Sequence, residues 1–160
     1  MSRIGITGHQ NIPAVALPRV EAWVRDLLAR PGDGGLTGIG SLAAGADQLF
    51  ARCVLDLGGR LEIIVPCVGY ETTFAAAEDR AGYDAMLGAA VSVRRLPYPA
   101  PSNEAFMAAG VAVADDCDLL IAVWDSLPAQ GYGGTADVVH YARGIGRPVT
   151  VVWPEGVRRG

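Results

Sequence analysis

Hydrophobic positions along the chain follow two alternating patterns. Six short runs are apolar and rich in β-branched residues, and helical stretches between them repeat apolar residues every three or four positions. This alternation predicts an α/β fold with a parallel sheet covered by helices on both faces. The predicted strands are residues 3–7, 36–41, 61–65, 91–96, 118–124 and 148–153.

Several of these strands are apolar throughout and do not alternate. Residues 63–65 (Ile-Ile-Val) and 119–124 (Leu-Leu-Ile-Ala-Val-Trp) are examples, and such runs are typical of strands buried on both faces. We therefore predict a Rossmann-like three-layer α/β/α architecture with a mostly parallel sheet of about six strands. No linker divides the 160 residues, so we expect a single domain over residues 1–160.

The helical stretches carry their own signals. Pro18 suits the first turn of a helix, and Ser102 is placed as an N-cap. The helical pattern over residues 72–90 is interrupted by Gly82 and Gly88. Two apolar stripes are predicted to face the core: Val20, Trp23, Val24, Leu27 and Leu28 in one helix, and Ala46, Leu49, Phe50, Cys53, Val54 and Leu57 in the next.

Three loops combine glycine with small polar residues: residues 8–11, 41–47 and 125–137, which follow the first, second and fifth predicted strands. In an open parallel sheet, ligands bind beyond the carboxyl ends of the strands, where the strand order reverses. We therefore expect the ligand site at these three loops.

The third of these loops is suited to holding a phosphate. Residues 131–137 (Gly-Tyr-Gly-Gly-Thr-Ala-Asp) lie between a strand and a helix. Glycines let the backbone approach a ligand, and the unpaired amides of a helix's first turn attract an anion. We predict a phosphate on the amides of Gly133, Gly134 and Thr135. The loop is not a Walker sequence, which needs a lysine, and the chain contains none.

The two earlier loops would complete the site around the rest of the ligand. His9 has a second interpretation, as a structural hydrogen-bonding residue. We expect Ser41, Gly45 and Ala46 to form a wall that faces the phosphate loop. Gly8, His9 and Gln10 would form a floor near the ribose or base.

Four carboxylates are candidates for contact with the ligand. Asp47 lies near a helix start, where it either caps the helix or contacts the ribose. Asp125 directly follows a strand, where it either caps the loop or accepts from sugar hydroxyls. If the protein is an enzyme, Asp125, Asp137 or Glu71 would supply the catalytic carboxylate.

Composition narrows the choice of partners. The net charge is −4 and all thirteen basic residues are arginines, which argues against nucleic acid and for a small anionic ligand. Cys53, Cys67 and Cys117 are widely spaced and are expected to be buried free thiols. Neither they nor the two histidines have metal-ligand spacing, so we predict no metal and no cofactor.

The expected location is the cytoplasm. The N-terminus lacks a signal-peptide pattern, and no apolar run approaches the roughly 20 residues that span a bilayer. No membrane partner is predicted.

The ordered set of motifs resembles the SLOG superfamily, which includes the Lonely Guy phosphoribohydrolases and the Rossmann-like domain of DNA-processing protein A. Residues 5–8 (Gly-Ile-Thr-Gly) begin the set. Residues 41–47 are similar to the S-G-x-A-x-G-x-D stretch of DNA-processing protein A, with Leu42 in place of a glycine. Residues 133–137 (Gly-Gly-Thr-Ala-Asp) are similar to the Lonely Guy P-G-G-x-G-T-x-x-E stretch. The resemblance covers nearly the whole chain.

The resemblance implies a nucleotide-type ligand, and the departures from it concern catalysis. Val138 stands where the Lonely Guy enzymes carry a glutamate that takes part in cleaving the N-glycosidic bond. Asp137 is one residue earlier, which turns its side chain by about 100° on a helix. We therefore expect a nucleotide-binding sensor or carrier, with a nucleoside 5′-monophosphate N-glycosidase as the alternative. Self-association through the third and fourth helices into a homodimer or larger homo-oligomer is also expected.

Overall fold

The computed structural model describes residues 2–29, 35–128 and 134–158. Strands and helices alternate along these residues, as the sequence predicts. In chain order the elements are β1 (Ser2–Gly8), α1 (Leu17–Leu28), β2 (Leu36–Gly40), α2 (Ala46–Asp56), β3 (Arg60–Cys67), a 3₁₀ helix (Tyr70–Thr73), α3 (Ala77–Ala89), β4 (Ser92–Tyr98), α4 (Asn103–Asp116), β5 (Leu119–Val123), α5 (Thr135–Gly144) and β6 (Val149–Val152).

The strands form one sheet in the order β4-β3-β2-β1-β5-β6, and every neighbouring pair is parallel. The predicted α/β fold with a parallel sheet of about six strands is confirmed. The chain moves outward from β1 through β2 and β3 to β4, then returns to place β5 on the other side of β1. The strand order therefore reverses between β1 and β5, which is where open α/β sheets bind ligands.

Two helical layers cover the sheet. Helices α1, α2 and α3 contribute to one buried cluster with Ile4, Ile6 and Ile63. Helices α4 and α5 contribute to the other with Ile39 and Ile64. The four residues 120–123 of β5 are fully buried, as expected for a strand covered on both faces.

The local signals are mostly confirmed. Pro18 lies in the first turn of α1, and the Ser102 Oγ accepts a hydrogen bond from the Ala105 amide at 3.0 Å. The three cysteines are buried free thiols. Within the described residues, no helix is long and apolar enough to cross a membrane.

Two predicted stripes are too wide. Trp23 is 40% exposed and Leu57 is 44% exposed, so neither belongs to the buried face. Trp23 directly precedes the buried Val24, and neighbouring positions on a helix are about 100° apart. Leu57 follows the last residue of α2. Both side chains lie at the margin of the apolar stripe.

Gly82 does not interrupt its helix, since α3 continues through it. A Cβ at this position would lie 2.6 Å from the Gln48 Oε1 of α2. The Gln48 Nε2 donates to the carbonyl oxygens of Leu42 at 3.1 Å and Asp79 at 2.9 Å. The absent side chain therefore leaves room for a polar contact between α2 and α3.

Candidate functional site

A cleft of about 1070 Å³ lies along the carboxyl ends of the strands. It is lined by the loops that follow β1, β2, β3 and β4 and by the start of α5. The structure brings the three predicted loops together here, because β2, β1 and β5 are neighbours in the sheet. The predicted site residues that line the cleft are Gly8, His9, Gln10, Ser41, Gly45, Asp47, Gly134 and Thr135.

Other predicted residues lie elsewhere. Ala46 is fully buried, and its amide donates to the His9 carbonyl oxygen at 3.1 Å. Asp125, Asp137 and Glu71 are not among the cleft-lining residues in the part of the chain that the structure describes. Gly133 falls outside the described residues.

The β1 loop and the start of α2 are in close contact through two glycines. Gly45 has φ +82, and a Cβ there would overlap the Gln10 carbonyl oxygen. At Gly8, a Cβ would lie 2.5 Å from the Ala46 Cβ. Glycine is required at both positions to bring the first and second loops together, and Gly45 also adopts a backbone conformation that L side chains rarely take.

Asp47 places a buried carboxyl group at the start of α2. Its Oδ2 accepts a hydrogen bond from the Ser41 amide at 3.2 Å, and the residue is only 8% exposed. Burial raises the pKa of Asp47 to about 7, although the backbone amides of Ser41 and Ala43 favour the ionised form. The Asp47 carboxyl group therefore bonds to amides of the loop that precedes α2.

The remaining amides at the start of α2 also have acceptors within the protein. The Ala46 amide donates to His9, and the Gln48 amide donates to the Ala43 carbonyl oxygen at 3.2 Å. The first turn of α2 is therefore largely satisfied without a ligand. This wall of the cleft is shaped by internal hydrogen bonds.

Leu42 is one departure from the family pattern, and its surroundings explain how the protein accommodates it. Its φ is +59, in the left-handed region where glycine is favoured, and the resembling motif has glycine there. The Leu42 side chain is 1% exposed. Burial of a leucine therefore offsets the backbone strain that a glycine would avoid.

The start of α5 is different. Its N-cap residue Gly134 and its first residue Thr135 line the cleft. The Gly134 carbonyl oxygen accepts from the Asp137 amide at 3.1 Å and from the Val138 amide at 3.2 Å, and the amides of a helix's first turn are the groups that bind anions. The positive end of the helix dipole lies at the cleft. Val138 is 3% exposed, and a Cβ at Gly110 of α4 would lie 2.5 Å from it.

A buried histidine–aspartate pair joins the ends of β1 and β5. The His9 Nε2 lies 3.2 Å from the Asp125 Oδ1, and the Asp125 amide donates to the same nitrogen at 3.3 Å. The His9 ring packs edge-on against Trp153, with centroids 5.5 Å apart. The Asp125 Oδ1 accepts from the Leu127 amide at 3.0 Å. These contacts fix the imidazole orientation and cap the β5 loop.

Sequence reasoning missed an entire wall of the cleft. The segments after β3 and β4 form it: Tyr70 and Thr73 in the 3₁₀ helix, Phe74 directly after it, and Asn103 and Phe106 in the first turn of α4. We call the three rings Tyr70, Phe74 and Phe106 the aromatic wall. Aromatic residues shortly after two predicted strands were the available signal, but the order-reversal argument directs attention to the loops after β1, β2 and β5.

Within the described residues, no three His, Cys, Asp or Glu side chains are grouped closely enough to hold a metal ion. Of the four predicted carboxylates, Asp47 lines the cleft. It already accepts a hydrogen bond from the Ser41 amide. The arrangement offers backbone amides, hydroxyls and aromatic rings as its binding groups.

Solved structures identify the fold, while no family model and no curated protein matches the chain. DNA processing protein A from Streptococcus pneumoniae is 17% identical, with a TM-score of 0.69 over 98% of this chain and 52% of that one. The Helicobacter pylori protein of the same name is 14% identical, with a TM-score of 0.72 over 99% of this chain and 68% of that one. The chain has a SLOG-type, Rossmann-like fold. TM1055, a structural genomics target, is 16% identical and covers 93% of this chain and 72% of that one, with a TM-score of 0.58.

The chain spans about half the length of the Streptococcus pneumoniae protein. At these identities the likeness establishes the fold. The resemblance seen in the motifs and the similarity of the structures therefore agree on architecture.

The expectation that nucleic acid is not a partner is wrong, because it was inferred from the net charge. The Helicobacter pylori structure is described as showing a single-stranded DNA binding mode, so a protein that contains this fold binds single-stranded DNA. Net charge is a sum over the whole surface, whereas single-strand binding depends on a local groove and on base stacking. A net charge of −4 does not exclude such a groove.

Proposed function

We propose that this SLOG-type domain binds a nucleotide or nucleotide-derived ligand, in a sensor or carrier role, with a phosphate on the first turn of α5. One observation carries the proposal: the start of α5 lines a large cleft at the point where the strand order reverses. An anion at a helix start is stabilised by free amides and by the helix dipole. Gly134 and Thr135 are the described residues at that position.

The contrast with α2 supports this orientation of the ligand. The buried Asp47 would repel a phosphate at the start of α2 once it is ionised. The phosphate therefore belongs at α5, and the loops carrying His9, Gln10 and Ser41 face the rest of the ligand.

Binding without turnover is favoured by the composition of the cleft. Val138 occupies the position of the glutamate in the resembling enzymes and is buried against α4. The N-glycosidase alternative stays a prediction. Release of free base from nucleoside monophosphates, lost in Asp125→Asn or Asp137→Asn, would support it.

Calorimetric titration with AMP, ADP-ribose and ribose 5-phosphate tests the proposal. We expect binding by the wild-type protein and at least tenfold weaker binding by Thr135→Asp, which adds a negative charge at the phosphate position. Thr135→Val removes only the hydroxyl and should retain affinity within a few fold, because backbone amides hold the phosphate.

The matched control is Thr73→Asp, which adds the same charge on the opposite wall of the same cleft. An equal loss in Thr73→Asp and Thr135→Asp would show a general effect of charge and would contradict a local phosphate site. No binding of any of the three ligands at millimolar concentration would overturn the proposed function.

A single-stranded nucleic acid is the second candidate, favoured by the fold shared with the Helicobacter pylori protein. Fluorescence anisotropy with a labelled 20-nucleotide single strand at low salt tests it. If the α5 start holds a backbone phosphate, Thr135→Asp weakens this binding as well. If the strand binds elsewhere, Thr135→Asp leaves its affinity unchanged.

A further inference from the structure

The aromatic wall has a two-layer construction. Phe74 and Phe106 are half-buried and line the cleft, whereas Tyr70 is 4% exposed and lies behind them. The Tyr70 ring centroid is 5.4 Å from that of Phe74 and 6.2 Å from that of Phe106. Tyr83, also buried, packs against Phe74 at 4.9 Å and against Tyr70 at 5.6 Å. Two buried rings therefore hold two partly exposed rings at the surface of the cleft.

Helix α4 connects the aromatic wall to the start of α5, so positions along it give the distance between them. Gly110 contacts Val138, one turn into α5, and both residues line the cleft. Phe106 lies four residues earlier on α4, which is about 6 Å along the helix. The aromatic wall and the α5 start thus lie in one cleft, separated by a short stretch of the small residues Ala109 and Gly110.

The two ends of the cleft differ in charge. The first turn of α3, beside the aromatic wall, carries Glu78 and Asp79, and Asp79 lines the cleft. A phosphate is disfavoured at that end. Asn103, in the first turn of α4, is exposed there and offers both donors and an acceptor to a heterocycle edge.

We propose that Phe74 and Phe106 form a base-binding subsite, on which the aromatic base of the ligand stacks while its phosphate lies at α5. This inference rests on the proposed function, because the phosphate position sets the orientation of the ligand. Stacking on an aromatic side chain accepts any base, since each has a π-face. Asn103 reads the edge of the stacked base.

The test compares each ligand with and without its base. Titrations use AMP, GMP, CMP and UMP against ribose 5-phosphate, which retains the phosphate and sugar. We expect at least one nucleotide to bind about fivefold or more tightly than ribose 5-phosphate, as stacking of one base provides. Phe106→Leu should abolish this ratio and leave ribose 5-phosphate affinity unchanged, while Phe106→Tyr keeps the ring and should keep the ratio.

The outcomes separate this inference from the proposed function. Equal affinities of the wild-type protein for ribose 5-phosphate and for all four nucleotides would overturn the subsite and leave the phosphate site standing. Equal weakening of all ligands in Phe106→Leu would assign the ring a purely structural role and also overturn the subsite. Failure of every ligand to bind would overturn both. Thermal melting of each variant verifies that it is folded.

Discussion

The two helix starts at the cleft, those of α2 and α5, share a sequence pattern but differ physically. Each follows a strand through a loop that contains glycine, and each has an aspartate in its first turn, Asp47 and Asp137. At α2 the aspartate is buried and bonded to the Ser41 amide. At α5 the first residues line the cleft, and Asp137 is not among the cleft-lining residues that the structure describes.

This difference shows that a glycine-rich turn before a helix has two distinct uses. At α2 the loop allows close packing, since Gly45 lets the Gln10 backbone approach. At α5 the first residues, Gly134 and Thr135, line the cleft. The α2 start is distinguished by the buried Asp47 carboxyl group, which accepts from the Ser41 amide, because an internal acceptor competes with an external anion for amides.

The largest expected effect comes from Asp47. A carboxyl group whose pKa rises from 3.8 to about 7 on folding costs the folded state about 4 kcal/mol when it is fully ionised. Because the folded state binds the proton of Asp47 more tightly, the contribution of Asp47 to stability is most favourable below pH 3.8 and becomes less favourable as pH rises toward 7. We expect urea unfolding of the wild-type protein to show this fall between pH 5 and pH 7.5, and Asp47→Asn to show little of it.

The control for this prediction is Asp26→Asn, an exposed aspartate on α1, which should keep the wild-type slope. Glu62 acts in the opposite direction at lower pH. The hydrogen bond from Arg3 lowers the pKa of Glu62 below 4.5, so its contribution is lost only in more acidic solution. An unchanged slope in Asp47→Asn would show that the α2 start is not occupied by a buried carboxyl group.

The second effect tests the packing role of the α2 loop. Gly45→Ala should destabilise the protein by about 3 kcal/mol, because it combines a left-handed backbone with overlap against the Gln10 carbonyl. Gly58→Ala is the matched control, since Gly58 has φ +76 but nothing within 4 Å of an added Cβ. It should cost only about 1 kcal/mol. Equal losses in urea unfolding would mean that the contact with Gln10 contributes nothing.

The sequence predicts the sheet well because its signals are local and repeated. Strands such as residues 119–123 combine β-branched and apolar residues with no competing helical period, and all six strands are found close to their predicted positions. Gly82 was misread as an interruption because its reason is a contact with Gln48, 34 positions earlier in the sequence. Such pairings carry no local signal.

The candidate site was predicted only in part for a similar reason. The three predicted loops come from the rule that ligands bind where the strand order reverses, and they follow β1, β2 and β5, which are neighbours in the sheet. The aromatic wall was missed because β3 and β4 lie away from the reversal. Its contribution to the cleft depends on how far the segments after β3 and β4 extend over the sheet. The internal use of Asp47 was one of two open interpretations, since a carboxylate at a helix start suits both capping and ligand contact.

The smallest effect is the difference in stability between the alanine and glycine variants of Leu42. Leu42→Ala should cost about 3 kcal/mol through loss of a buried side chain, but Leu42→Gly should be no worse, because glycine recovers about 1 kcal/mol of left-handed strain. At Leu49, inside α2 and 4% exposed, the order should reverse, with glycine about 1 kcal/mol worse than alanine. Urea unfolding of the four variants measures both differences. If glycine is worse than alanine at both positions, the strain at Leu42 is absent in solution, and the α2 loop does not need the left-handed turn that closes it around Asp47.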